Sequence, residues 1–190
     1  MTVRTRQVVL IVSTILASWL GMQMMHELGH ITAAKVVRAK IDHVALHPLT
    51  ISHTDVRPNA HPLFIVWAGP LVGVTLPLLL WFFALVAKSR ETSLFRFFAG
   101  FCLVANGVYI GAGSFFGTGD CGEMLRNGSP IWLLQLFGIT ATPLGFILWN
   151  GQGKHFGLGP SPEPVTFRTT LTSALAALFL VILGLSVGGK

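Results

Sequence analysis

Five stretches of this 190-residue chain run without a single Asp, Glu, Lys or Arg for long enough to cross a bilayer. They are Gln7–Met25, Leu63–Ala87, Phe97–Gly119, Pro130–Trp149 and Thr169–Gly189. A helix needs about 20 predominantly apolar residues to span the hydrocarbon core. Within lipid every backbone N–H and C=O must be satisfied inside the protein, so segments of this kind fold as helices. Five of them occupy most of the chain. The fold expected is therefore all-α: an integral, multi-pass membrane protein with about five transmembrane helices in one bundle, residues 1–190 forming a single membrane-embedded domain. Charged residues make up 11% of the chain, against about 25% in an ordinary soluble domain.

The residues between the spans refine this picture. The first helix is expected to continue past its apolar run through His26–Val37, because nothing there breaks it. Residues 38–61 are polar and interrupted by Pro48 and Pro58; Ile41–Leu46 and Thr50–Val56 partly alternate around His47-Pro48-Leu49, which permits a short β-hairpin between the first two helices. The second helix begins near Pro62, and the third carries Asn106 among several glycines. Residues 151–167 are rich in Gly and Pro and read as an exposed connector, and residues 168–190 as the last transmembrane helix. The N-terminal apolar run follows Arg4 and Arg6 but has no small-x-small cleavage site before His26, so it reads as a retained helix rather than a signal peptide.

Charge excludes some functions and leaves orientation open. The formal net charge is +6, but the basic residues lie mainly between spans, where lipid head groups meet them; nucleic-acid binding is not expected. With five spans, one side collects Arg4, Arg6, Lys88, Arg90, Arg96, Lys154 and Arg168, and the other Lys35, Arg38, Lys40, Arg57, Arg126 and Lys190. These two sets are too even to orient the chain. The two cysteines, Cys102 and Cys121, are too few for a disulfide framework and form no Cys-x-x-Cys pair.

The strongest chemical signal is His26-Glu27-Leu28-Gly29-His30. Residues four apart share a helix face, so His26 and His30 can hold one Zn²⁺ between them. Glu27 lies about 100° around the helix, within reach of a water that zinc would acidify, and can act as its base. At the chain's own His and Glu frequencies, roughly 0.005 such matches are expected by chance. An acid adjoining an apolar span is also costly, about 2.5–3.5 kcal/mol at mid-helix, and marks function by default.

A catalytic zinc has three protein ligands and one open position. Asp120 is the best candidate for the third: it is the only acid between Glu91 and Glu123, it follows a long uncharged span, and glycines around it allow close approach and irregular backbone. Glu123, one turn later, and the soft ligand Cys121 compete with it.

Together these residues resemble the site-2 protease family of intramembrane zinc metalloproteases. His26-Glu27-Leu28-Gly29-His30 matches the family's first core-helix motif, Ala68-Gly69-Pro70-Leu71 its Ala-Gly-Pro element, and Gly119-Asp120-Cys121-Gly122-Glu123-Met124-Leu125 its Leu-Asp-Gly-Gly-x-x-Leu element. The resemblance covers roughly residues 8–126, the expected catalytic core. Gly73 stands where the family often has Asn, and Cys121 where it often has Gly. The resemblance implies one zinc per chain held by His26, His30 and Asp120, Glu27 as general base, a transmembrane protein as substrate, and a first core helix whose C-terminal end faces the cytosol. It also implies a minimal form without a regulatory domain, and a segment after the first core helix that presents an extended substrate by strand addition.

Several residues carry weaker expectations. Asn106 can bond across helices or position substrate backbone. His43, His47, His53 and His61 crowd one loop, and in a hairpin His43 and His47 would share a face. Two other readings compete with the first. A prenyl-peptide-processing (CAAX) membrane protease would take Glu123 as its third ligand. A non-catalytic membrane protein, metal-binding or a degenerate protease scaffold, would have no need of Glu27.

Overall fold

The computed structural model describes residues 1–187. Gly188, Gly189 and Lys190, the end of the fifth apolar stretch, lie outside the described residues. The elements run α1 (Val3–Val36), β1 (Ile41–Ala45), β2 (His53–Val56), α2 (Pro62–Val86), α3 (Thr92–Gly113), α4 (Gly119–Arg126), α5 (Ile131–Trp149), a 3₁₀ turn (Gln152–Phe156) and α6 (Phe167–Val187). Five of these helices, α1, α2, α3, α5 and α6, are long and apolar enough to cross a membrane. The protein is an integral multi-pass membrane protein, and its large apolar side chains face outward along every span, among them Val12, Ile15, Phe83, Ile139 and Phe179.

α1 has 34 residues, about 51 Å at ~1.5 Å per residue, so it outruns the hydrocarbon core. This excess carries the His26–His30 motif to its C-terminal third. α1 lies against α2 on one flank and α6 on the other. Ser13 and Thr14 meet Ser173 of α6 through hydroxyls 2.8 Å apart, polar links that lipid cannot replace.

Two backbone-to-backbone approaches set the helix spacing. A Cβ on Gly29 of α1 would collide with the Ala68 carbonyl and lie 2.8 Å from Gly69 Cα of α2. A Cβ on Gly111 of α3 would lie 2.8 Å from Gly138 Cα of α5. Small residues at helix crossings let close backbone packing, through dispersion, replace the hydrophobic drive that lipid removes. The first crossing ties the Ala-Gly-Pro element to the His-Glu-x-x-His helix at the level of the histidines.

The third apolar stretch, expected as one span through Gly119, ends as a helix at Gly113. Gly117 (φ +62°) and Gly119 (φ +56°) take the left-handed conformation that L side chains rarely adopt, and the chain reverses there. Residues 119–126, where the glycines allow irregular backbone, form the short helix α4, with Glu123 one turn after Asp120. A Cβ on Gly122 would collide with the Gly117 carbonyl, so the reversal closes only with glycine at both places. Met124 and Cys121 of α4 then enter a core with Val66, Ile110 and Leu134, which joins α2, α3, α4 and α5 beneath the site.

β1 and β2 pair antiparallel as the expected hairpin, with His43 opposite Asp55 and Ala45 opposite His53. The turn is longer than the alternation suggested, and His47 falls in it. The ring beside His43 is therefore His53, at 5.7 Å between centroids, rather than His47. The connector 151–167 is mostly exposed, but Phe156 and Val165 turn inward onto Leu10 of α1.

Candidate metal centre

α1 brings His26 (7% exposed), Glu27 (3%) and His30 (6%) into the bundle on adjoining faces. The short helix α4 supplies Asp120 from its first turn. Asp120 Oδ2 lies 2.7 Å from His26 Nε2 and 3.5 Å from His30 Nε2. The ligand atoms of the three residues all lie within 4.8 Å of one another. Donors around a tetrahedral zinc at ~2.0–2.1 Å sit about 3.3 Å apart, so the spacing suits one such ion.

The second nitrogen of each ring decides what the first can do. His26 Nδ1–H donates to Asn106 Oδ1 at 2.7 Å, and His30 Nδ1–H donates to the Ile65 carbonyl at 2.9 Å. Asn106 Nδ2 donates to the Cys102 carbonyl, which fixes the direction of its amide. In the neutral rings both Nε2 atoms therefore carry lone pairs, and both aim at the Asp120 carboxylate. Three such atoms at this separation need positive charge among them, supplied by a metal ion or by a proton on an imidazole. Space for an ion exists because residue 69 is glycine: a Cβ there would lie 2.8 Å from His26 Nε2 and closer still to His30 Nε2. The donor set, two imidazoles and a carboxylate, is that of a zinc site with an open position.

Burial opposes charge on Asp120, but in the metal-free site the two imidazoles, when protonated, donate to it and outweigh burial, holding its carboxyl well below the usual carboxylate range. Its backbone N–H donates to the Tyr109 hydroxyl at 3.1 Å, and the Tyr109 ring stands edge-on to His26. The competing ligands lie elsewhere. Cys121 Sγ points at the carbonyls of Tyr109 and Ile110, at 3.4 and 3.6 Å. Burial, with the Asp120 charge behind it, pushes its thiol up to about 11, so it stays protonated. Glu123 is exposed and, though it lines the same cavity, is not one of the clustered ligands. Among the described residues, His26, His30 and Asp120 are the one such cluster, which favours Asp120 over Glu123 as the third ligand.

Glu27 is held from the hairpin. Ser52 Oγ donates to its Oε1 at 2.9 Å and Thr54 Oγ1 to its Oε2 at 2.6 Å, while the Ser52 N–H donates to Gln23 Oε1 at 2.9 Å. With both oxygens of this buried carboxylate paired, its position and orientation are fixed. Sequence reasoning missed Ser52, Thr54, Gln23 and Tyr109. Alternation places Ser52 and Thr54 on one face of a strand, but nothing local says that this face meets Glu27.

Asn106, expected either to bond across helices or to touch substrate, is 1% exposed and bonds across helices to His26. A Cβ on Gly73 would lie 2.9 Å from its Oδ1. The space against position 73, where the family often has an Asn, is thus filled by an amide from α3. The histidines of the 38–61 loop are not part of the cluster: His43 and His53 are on the strands, His53 lining the site cavity, His47 is in the turn, and His61 is at the start of α2.

His26, Glu27, His30, Tyr109 and Asp120 line one cavity of about 1170 Å³ between α1, α2, α3, α4 and β2. Compared with protein families, curated proteins and solved structures, the chain has no match. Its likeness to site-2 zinc proteases resides in the buried His-x-x-x-His…Asp triad and in the all-helical membrane bundle that carries it.

Proposed function

We propose that this chain is an intramembrane zinc metalloendopeptidase that hydrolyses a peptide bond in or near a transmembrane segment of a substrate protein. The observation that carries the proposal is the convergence of two Nε2 lone pairs and one carboxylate, with a second buried carboxylate, Glu27, beside them. Held by His26, His30 and Asp120, Zn²⁺ would supply Lewis acidity toward a water and a peptide carbonyl. Glu27 takes a proton from the attacking water and returns it to the amine as the C–N bond breaks. Ser52 and Thr54 keep its oxygens in place between the two transfers. Asn106, engaged by protein at both ends of its amide, acts through His26 rather than on substrate.

Hydrolysis requires an extended substrate. β2 lines the cavity, and in a two-stranded sheet its outer edge has unpaired backbone groups, so an extended segment can add there. All these groups come from α1 through α4, which supports residues 8–126 as the catalytic core, with the connector 151–167 and residues 168–190 outside it. A site that only bound metal would have no use for a buried carboxylate beside the ligands.

Glu27→Gln tests this reading, with zinc content measured alongside cleavage of single-span membrane proteins in reconstituted vesicles. Zinc at one per chain with cleavage lost is the expected result. Full cleavage by Glu27→Gln would overturn the mechanism.

A further inference from the structure

A second cavity, of about 640 Å³, lies far from the metal centre. Leu10 lines it, sixteen residues before His26 on the same helix, or about 24 Å along the axis. The end of α2, the beginnings of α3 and α6, and the 3₁₀ turn enclose it. This is where charge-free spans give way to Arg90, Glu91 and Arg168, the depth of lipid head groups.

Its wall holds polar groups that protein leaves unpaired. Gln152 is 3% exposed and neither of its amide atoms has a partner; Glu91 is 9% exposed and neither carboxylate oxygen accepts a hydrogen bond. Trp81 Nε1 and Arg96 Nε are buried without partners as well, while Arg96 Nη2 donates to the Asn150 carbonyl at 3.1 Å. The closest cation to Glu91 is Arg168, with Nε at 3.6 Å, beyond hydrogen-bond range. An unpaired buried polar group is destabilising, and four residues repeating that cost around one cavity call for a polar occupant.

Charge says which kind. Arg90, Arg96 and Arg168 line the cavity. Glu163 does too, but it is spent on Lys154 at 3.2 Å and His155 at 2.7 Å, which leaves Glu91, approached only by Arg168 at 3.6 Å, as the carboxylate without a hydrogen bond. α3 begins at the cavity with Glu91 itself as its N-cap residue, and α6 begins there with Thr166 Oγ1 already accepting from the Thr169 N–H. The three guanidinium groups favour a phosphate. The lone Glu91 carboxylate beside them favours an attached ammonium that can donate hydrogen bonds.

We propose that this cavity binds the phosphoethanolamine headgroup of a membrane lipid, with the phosphate on Arg96 and Arg168 and the ammonium on Glu91. A choline headgroup cannot donate to Glu91, and a glycerol headgroup brings it no positive charge.

The test is native mass spectrometry of the full-length protein in detergent, with phosphatidylethanolamine, phosphatidylcholine and phosphatidylglycerol of identical acyl chains. Phosphatidylethanolamine should be retained about tenfold better than phosphatidylcholine. Glu91→Gln should abolish that preference, and Arg168→Gln, at an exposed side chain whose loss spares the fold, should weaken phosphatidylethanolamine retention. Phosphatidylglycerol retained as well as phosphatidylethanolamine would overturn the ammonium assignment. Displacement by soluble glycerophosphoethanolamine at equal concentration would overturn the membrane source. Equal retention of all three lipids, unchanged in Arg168→Gln, would overturn the site.

Discussion

Gly69→Ala isolates the metal centre from the rest of the fold. The added methyl would lie 2.8 Å from His26 Nε2 and nearer to His30 Nε2 and Cε1. An ordinary contact is about 3.5 Å, so the overlap is about 0.7 Å at His26 and larger at His30. The helices cannot part to relieve it, because Gly29 packs against the backbone of Ala68 and Gly69. The His30 ring must turn instead, giving up its 2.9 Å bond to Ile65 and withdrawing Nε2 from the cluster. Overpacking costs about 1–3 kcal/mol, but alanine in a helix regains up to about 1 kcal/mol over glycine, so the fold survives. Zinc binding does not. Loss of an outer-shell partner alone costs 10–100-fold in metal affinity, and loss of a ligand should cost more than about 100-fold. The assay is zinc per chain after dialysis against a competing chelator, together with Tm with and without that chelator. Wild type should retain one zinc and lose Tm on chelation, because a ligand that binds only the folded state stabilises it. Gly69→Ala should hold none, and its Tm should ignore the chelator. Wild-type zinc affinity in Gly69→Ala would refute the placement of the ion between the two Nε2 atoms.

Three further outcomes follow from the same geometry. Asp120→Ala should lose zinc while Glu123→Ala keeps it, measured as metal per purified chain; the reverse would move the protein to the CAAX-type class. Asn106→Ala should lower zinc affinity about 10–100-fold by freeing the His26 ring, read by chelator competition. An unchanged affinity would return Asn106 to the substrate role. Gly29→Ala should lower the Tm of the metal-free protein, since its methyl meets backbone that cannot move aside; a loss of about 1–3 kcal/mol or more is expected from thermal or denaturant unfolding.

Much of this protein is determined locally and can be read from its sequence. Charge-free runs of bilayer length leave the backbone no option but helix, so the five spans follow from hydropathy alone. The four-residue spacing of His26 and His30 is a property of any α-helix, so their shared face was legible before any packing was known. Asp120 was legible by elimination, as a lone acid in a glycine-rich turn. What tertiary structure decided is what faces what. Whether an amide on α3 reaches His26, whether hydroxyls on a hairpin reach Glu27, and whether position 69 leaves room for an ion all depend on helix crossings, and those crossings are fixed by glycines that meet between segments far apart in sequence. That residues 119–126 form α4 was decided in the same way: left-handed Gly117 and Gly119 reverse the chain, and Met124 and Cys121 find a core contributed by three other helices. Periodicity is a property of one segment, whereas a site built from five segments is a property of their packing.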